Sequence, residues 1–224
     1  MADRIERALA QGINELGLDL SADEQEKLLH YLHLLVKWNK SFNLSGVTAI
    51  QDMVPLHLLD SLAVLPHCGY RKTSINPDRP ARILDIGSGA GLPGIPLAIT
   101  NPETKFVLLD SNGKKTRFLF QAKLALGLDN VEVVNARVDE YLTSTEDEFD
   151  LVTCRAFATL KVIVDMIPTL LMGGTKLLAM KGVYPQDEID ELDESVKIEE
   201  VIELVIPNID SQRHLVLLSR AELS

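Results

Sequence analysis

The chain is poor in several things, and each shortage narrows its class. Two cysteines in 224 residues, Cys68 and Cys154, make a disulfide framework unsuited to it and point to a reducing compartment. No apolar run approaches the roughly 20 residues that a membrane-spanning helix needs. The opening residues Met-Ala-Asp-Arg-Ile-Glu-Arg carry acids where a secretory signal has an apolar stretch. A cytoplasmic protein without membrane contact is expected. Five histidines and two cysteines lack metal-ligand spacing, so no metal is expected. Basic charge is also short, 22 Lys and Arg against 33 Asp and Glu, which argues at first against a nucleic-acid partner. That deficit is local. Residues 183–224 hold 3 basic and 11 acidic side chains, whereas residues 81–182 hold 11 and 12. A nearly neutral body can still present a basic face.

What is present centres on residues 83–98, Ile-Leu-Asp-Ile-Gly-Ser-Gly-Ala-Gly-Leu-Pro-Gly-Ile-Pro-Leu-Ala. Ile83, Leu84 and Ile86 predict a buried strand, and the glycines after it a sharp turn into a helix. Pro93 and Pro96 fit only the first turns of that helix. Gly87, Gly89 and Gly91 are spaced G-x-G-x-G, not the G-x-G-x-x-G that aims a helix end at a pyrophosphate. Asp85, just before them, suits a ligand with an ammonium group and a sulfonium centre. S-adenosylmethionine is such a ligand. Roughly twenty residues on, Lys105–Asp110 predicts a second buried strand ending in a carboxylate, where a ribose-binding acid belongs. Taken alone Asp110 could equally cap a helix over about 113–126, but its separation from the glycine loop favours ribose binding.

Two helices open the chain, the second after a capping box at Ser21–Glu24, and a third covers about 52–65. Residues 1–66 are expected to form a helical extension, 67–80 a linker and 81–224 the cofactor-binding domain. From residue 82 strands and helices alternate. Strands are predicted near 82–86, 105–109, 131–134, 149–153, 174–181, 198–206 and 212–219, with a helix near 186–194. That is an α/β, Rossmann-like, mainly parallel doubly wound sheet of seven strands with a reversed last strand.

Taken together, these features resemble a class I S-adenosylmethionine-dependent methyltransferase. One family is closely similar: the bacterial small-subunit (16S) rRNA guanine-N7 methyltransferases, first called glucose-inhibited division protein B. The resemblance rests on Trp38-Asn-Lys-Ser-Phe-Asn-Leu44, His57-Leu-Leu-Asp-Ser-Leu62 and the loop Leu84–Pro96. It continues through Leu108–Lys115, Arg137-Val-Asp-Glu140, Arg155-Ala-Phe157 and Arg213-His-Leu-Val216. It implies a cofactor site made by Asp85, Gly87, Ser88, Gly89, Gly91, Leu92, Asp110, Val138, Asp139 and Arg155. It implies as substrate one guanine, number 527 in reference rRNA numbering, in the small ribosomal subunit or its assembly intermediate. A monomer is expected. Cys154 and Asn112 depart from the family's usual residues.

Guanine N7 has a free lone pair, so its methylation needs alignment and charge accommodation, not a general base. In agreement, the Asp/Asn-Pro-Pro-aromatic segment of exocyclic-amine methyltransferases is missing after the fourth strand. Arg155 is expected to position the acceptor through a guanine atom or a phosphate, with Phe157 available to stack on a base. The alternatives are a structural ion pair for Arg155 and a core position for Phe157. His57 is a candidate for the acceptor pocket, or else is tied to Asp60 on a polar helix face. Cys154 is read as structural, not as a nucleophile. Lys40, Lys114, Lys115, Arg137 and Arg213 are candidates for RNA contact, with Lys37, Arg117 and Lys181. Trp38 and Phe42 could stack on bases or be buried. Two other classes compete: a binding module without chemistry, and an NAD-dependent oxidoreductase.

Overall fold

The computed structural model of the protein describes residues 2–68 and 79–221. The expected linker over 67–80 thus lies mostly outside the described residues. Helix α1 (Ala2–Glu15) is followed by α2 (Ala22–Phe42). The capping box at Ser21 is formed: the Glu24 amide donates to the Ser21 hydroxyl, and the Ser21 amide donates to the Glu24 carboxylate at 2.7 Å. The third helical stretch is not continuous. Helix α3 (Ile50–Met53) passes into a π-helical turn over Val54–Leu59 before α4 (Asp60–Leu62). Pro55, at the start of that turn, has no N–H for the α-helical ladder.

From residue 82 the elements alternate: β1 (Arg82–Ile86), α5 (Gly94–Thr100), β2 (Lys105–Leu109), α6 (Gly113–Leu126), β3 (Val131–Val134) and α7 (Val138–Ser144). They continue with β4 (Leu151–Arg155), α8 (Leu160–Met166), α9 (Pro168–Met172), β5 (Lys176–Lys181), α10 (Gln186–Asp190), β6 (Val196–Glu203) and β7 (His214–Arg220). Strands β4 and β5 begin two residues later than the pattern suggests. Helix α10 stops early, and beyond it Asp193 accepts from the Ser195 amide at 2.9 Å, which turns the chain into β6.

The seven strands form one sheet in the order β3-β2-β1-β4-β5-β7-β6. Strands β1 to β5 are parallel, and β7 runs antiparallel to both β5 and β6. Alternate strand residues face opposite layers. Ile83, Phe106, Leu108 and Leu178 pack with Leu9, Leu28, Ile95 and Phe118 from α1, α2, α5 and α6. Leu84, Val107, Leu109 and Leu177 pack with Tyr141, Ile163 and Leu171 from α7, α8 and α9. With both faces covered, the central strands read as continuous apolar runs. Strand β6 is outermost, and Lys197, Glu199, Glu200 and Glu203 place part of the C-terminal charge on that edge.

Candidate active site

Two cavities open at the carboxyl ends of the parallel strands, and Ala156 and Phe157 line both. The first, about 850 Å³, is lined by Gly87 beyond β1, Asp110 beyond β2, and Arg137, Val138 and Asp139 beyond β3. Its size is that of a cofactor site. Four expected cofactor residues, Gly87, Asp110, Val138 and Asp139, therefore meet here. Gly87 has φ +66° at the cavity wall, and the Phe157 ring fills the space that a Cβ would take. The Asp110 carboxylate is oriented by three groups. Gly89 N donates to Oδ2 at 2.9 Å, Asn112 N donates to Oδ1 at 2.8 Å, and Lys115 Nζ lies 3.7 Å from Oδ2. Helix α6 is capped by Asn112, whose side chain accepts from the Lys114 amide at 2.9 Å. Asp110 is thus not the cap.

Six other expected cofactor residues do not line this cavity, five of them in or under the turn. Ser88, Gly89, Gly91 and Leu92 shape the turn without lining the cavity. Ser88 Oγ donates to the Asp85 carbonyl at 2.8 Å. Gly91, φ +87°, faces Ile95 and Leu119 where a Cβ would sit, and Leu92 is packed in the core. Asp85 lies under the turn, fully buried. Its Oδ2 accepts from Gly94 N at 3.2 Å, and its Oδ1 has no partner among the described residues. Burial pushes its carboxyl up to about 7. Asp85, expected to suit a ligand's ammonium and sulfonium, thus faces the first turn of α5 and does not line the cavity. With its carboxylate on the first amide of α5, that helix end is also a poor seat for a pyrophosphate.

The second cavity, about 680 Å³, is lined by His57, Asp60, Arg155, Lys181, Arg213 and His214 among others. Arg155, expected beside the cofactor, lines this cavity and not the first. Its Nη1 donates to Asp60 Oδ2 at 2.8 Å and to the Leu56 carbonyl at 3.0 Å. Arg213 Nε donates to Asp60 Oδ1 at 3.0 Å. The ion pair weighed for Arg155 thus exists, but at a cavity wall. Phe157 is 36% exposed and not a core residue. His57 does not pair with Asp60. Its Nδ1 lies 2.9 Å from the Leu56 carbonyl, which can only accept, so Nδ1 carries the proton. Its Nε2, 2.7 Å from Ser45 Oγ, then accepts from that hydroxyl. Burial lowers the His57 pKa, in keeping with a neutral ring.

The loop holding Ser45 explains the Trp38–Leu44 motif. Asn39 Nδ2 donates to the Ser45 and Val47 carbonyls, and Asn39 Oδ1 accepts from the Ser45 amide at 2.8 Å. Trp38 stacks on Phe42 with centroids 5.0 Å apart and also meets Phe118, so these rings pack internally. Of the basic candidates, Lys115 and Arg137 line the first cavity and Arg213 the second, while Lys40 and Lys114 are exposed away from both linings. Lys181 is engaged otherwise: its Nζ donates to Glu188 at 2.6 Å and to the Ala158 carbonyl at 2.9 Å. That pair braces the segment after β4, where Ala156 is held at φ +49°. Cys154 is buried and its thiol is pushed up to about 12, which removes the thiolate that a cysteine nucleophile requires. Among the described residues no group of His, Cys, Asp and Glu is arranged to hold a metal, and no helix is long and apolar enough to cross a membrane.

The family described as rRNA small subunit methyltransferase G matches residues 24–216. The chain belongs to this family. A ribosomal RNA small subunit methyltransferase G from Ectopseudomonas mendocina is 47% identical over 213 residues, covering 95% of each chain. Those of Laribacter hongkongensis and Neisseria meningitidis serogroup B are each 46% identical, covering 96% and 97% of this chain and 98% and 99% of theirs. Among solved structures, TrmK of M. capricolum in complex with S-adenosyl-homocysteine aligns with TM-score 0.51 at 15% identity, covering 64% of each chain. A SAM-dependent methyltransferase from Aquifex aeolicus aligns with TM-score 0.51 at 16% identity, covering 73% of this chain and 92% of that one. Those two likenesses concern the fold. Family membership makes the chain an rRNA methyltransferase of the small subunit.

Proposed function

We propose that this member of the methyltransferase G family methylates N7 of one guanine of 16S rRNA, using S-adenosylmethionine, in the cytoplasm. Its substrate is the small subunit or an assembly intermediate. One observation carries the proposal: a cofactor-sized cavity and an acceptor cavity share the wall Ala156-Phe157. The first fits S-adenosylmethionine. Asp110 offers a held carboxylate for ribose hydroxyls. When bound, that cofactor supplies a methyl on a positively charged sulfur, which passes to the N7 lone pair while the C–S electrons stay on sulfur.

The acceptor cavity suits a nucleophile that brings its own lone pair. Its carboxylates are both engaged, Asp60 by Arg155 and Arg213, and Glu188 by Lys181. Both ring nitrogens of His57 are bonded, and at His214 the Gly182 carbonyl lies 2.9 Å from Nδ1, leaving Nε2 without a hydrogen bond to any described residue. N7 calls on no base, so these residues serve to orient the guanine and exclude water. On this view the helices of 1–66 are an extension that brings His57 and Asp60 to the acceptor side of the domain 81–224. The test is single-turnover transfer of labelled methyl from S-adenosylmethionine to small subunits and to free 16S rRNA from a strain lacking the gene. Stoichiometric transfer to 16S rRNA is expected. Binding without transfer would make the chain a module, and transfer only to another RNA would reassign its substrate.

A further inference from the structure

Asp60 is 2% exposed and receives two arginines from distant parts of the chain. Arg155 ends β4 and Arg213 immediately precedes β7, so three segments converge on one carboxylate in the acceptor wall. Neither arginine is exhausted by its partners. Arg155 uses Nη1 alone, on Asp60 and Leu56; Arg213 uses Nε on Asp60 and Nη1 on Ser211 Oγ and the Gln212 carbonyl. Arg155 Nε and Nη2 and Arg213 Nη2 have no hydrogen bond to any described residue. Both side chains keep a fifth or more of their surface open, 21% and 23%.

Charge decides what those donors can take. Two guanidiniums and one carboxylate leave a net +1, the adjacent Lys181–Glu188 pair adds nothing, and burial favours the neutral ring of His57. Resting on the proposed reaction, the base edge that takes the methyl must keep N7 free and becomes positive. Arginines placed on N7 and O6 would block that atom and repel the charge formed there. The anionic group an RNA always brings beside a base is its phosphodiester, and paired guanidinium forks match it.

We propose that Arg155 and Arg213, clamped by Asp60, seat an RNA phosphodiester next to the target guanine. Asp60 is a positioning residue: it fixes both guanidinium planes and leaves their outer donors available. Arg155 is then a phosphate contact and not a base contact.

The test uses the full chain with small subunits from a strain lacking the gene, following KM, kcat and the salt dependence of KM. Arg213→Gln is expected to raise KM for RNA roughly tenfold or more and to lower the salt slope by about one phosphate's share. Arg213→Lys should recover part of the slope. Asp60→Asn adds one net positive charge, so simple attraction would tighten RNA binding, whereas loss of positioning weakens it. A raised KM for Asp60→Asn, with S-adenosylmethionine affinity by calorimetry unchanged, supports the seat. Wild-type KM and salt slope in Arg213→Gln would overturn it, as would tighter RNA binding by Asp60→Asn. If Asp60→Asn does not fold, the two Arg213 variants decide alone. A wild-type protein that transfers no methyl to 16S rRNA is a separate result; it removes the proposed reaction, and this seat with it.

Discussion

The ring of Phe157, two residues beyond β4, lies against Gly87, the first residue beyond β1, so closely that a Cβ on Gly87 would overlap it. One aromatic side chain therefore belongs to the acceptor wall and also covers the bare backbone of the cofactor loop. Gly87→Ala should destabilise the fold twice over. The φ of +66° costs a residue with a Cβ about 1–2 kcal/mol, and the overlap adds to that. Phe157→Ala relieves only the overlap. Urea unfolding of the two single variants and the double variant should give a coupling between about 0.5 and 3 kcal/mol. Strictly additive losses would mean that the ring does not rest on Gly87.

Asp110 and Asn112 divide two tasks that the sequence left joined. Asp110→Ala should weaken S-adenosylmethionine binding by roughly tenfold or more, since a hydrogen bond to a charged group contributes about 1.5–3 kcal/mol. Asn112→Ala should instead cost about 1 kcal/mol of stability through the lost cap of α6, with affinity kept. Calorimetry and thermal unfolding of both variants check this, and the reverse pattern would exchange the roles.

Asp85 gives a pH signature. Its carboxyl titrates near 7 in the folded chain, chiefly through burial, against about 3.8 when unfolded. Between those values the folded chain keeps a proton that the unfolded chain releases, so this group's contribution to stability falls as pH rises from about 4 to 7. Asp85→Asn cannot titrate. The stability of the variant relative to the wild type should therefore climb across that window and level off above it. Unfolding free energies measured at intervals of pH test this, and parallel profiles would contradict the raised value.

Cys154→Ala should retain methyl transfer within a few-fold and lose some stability, because the buried thiol packs on one face of the sheet in a cluster with Leu84, Val152 and Ala179. Complete loss of turnover in a folded, cofactor-binding variant would point back to a cysteine nucleophile.

The sheet was legible because every strand has a local pattern: apolar runs between turn residues mark β1 to β5, and the capping box at Ser21 marks α2. Gly87 and Asp110 were legible because each follows a parallel strand, and strand ends in such a sheet converge; Val138 and Asp139 came from the family resemblance alone. The acceptor side was not. Asp60 meets Arg155 and Arg213 across 95 and 153 residues, and no periodicity links partners so far apart. The break at Val54–Leu59 was hidden because its apolar spacing still looks helical; Pro55 was the only local sign. The surroundings of Asp85 were hidden for a related reason. An acid beside a glycine turn looks available to a ligand, and only the packing of Gly94 over it shows that it faces inward.

The most direct measurement is mass spectrometric mapping of 16S rRNA after incubation of small subunits, from a strain lacking the gene, with the protein and S-adenosylmethionine. The expected result is one added methyl, on a single guanine, at N7. An added methyl on an exocyclic amine, on a pyrimidine carbon or on a ribose would contradict an acceptor cavity whose carboxylates sit in ion pairs, whose His57 is bonded at both ring nitrogens and whose cysteine is a protonated thiol.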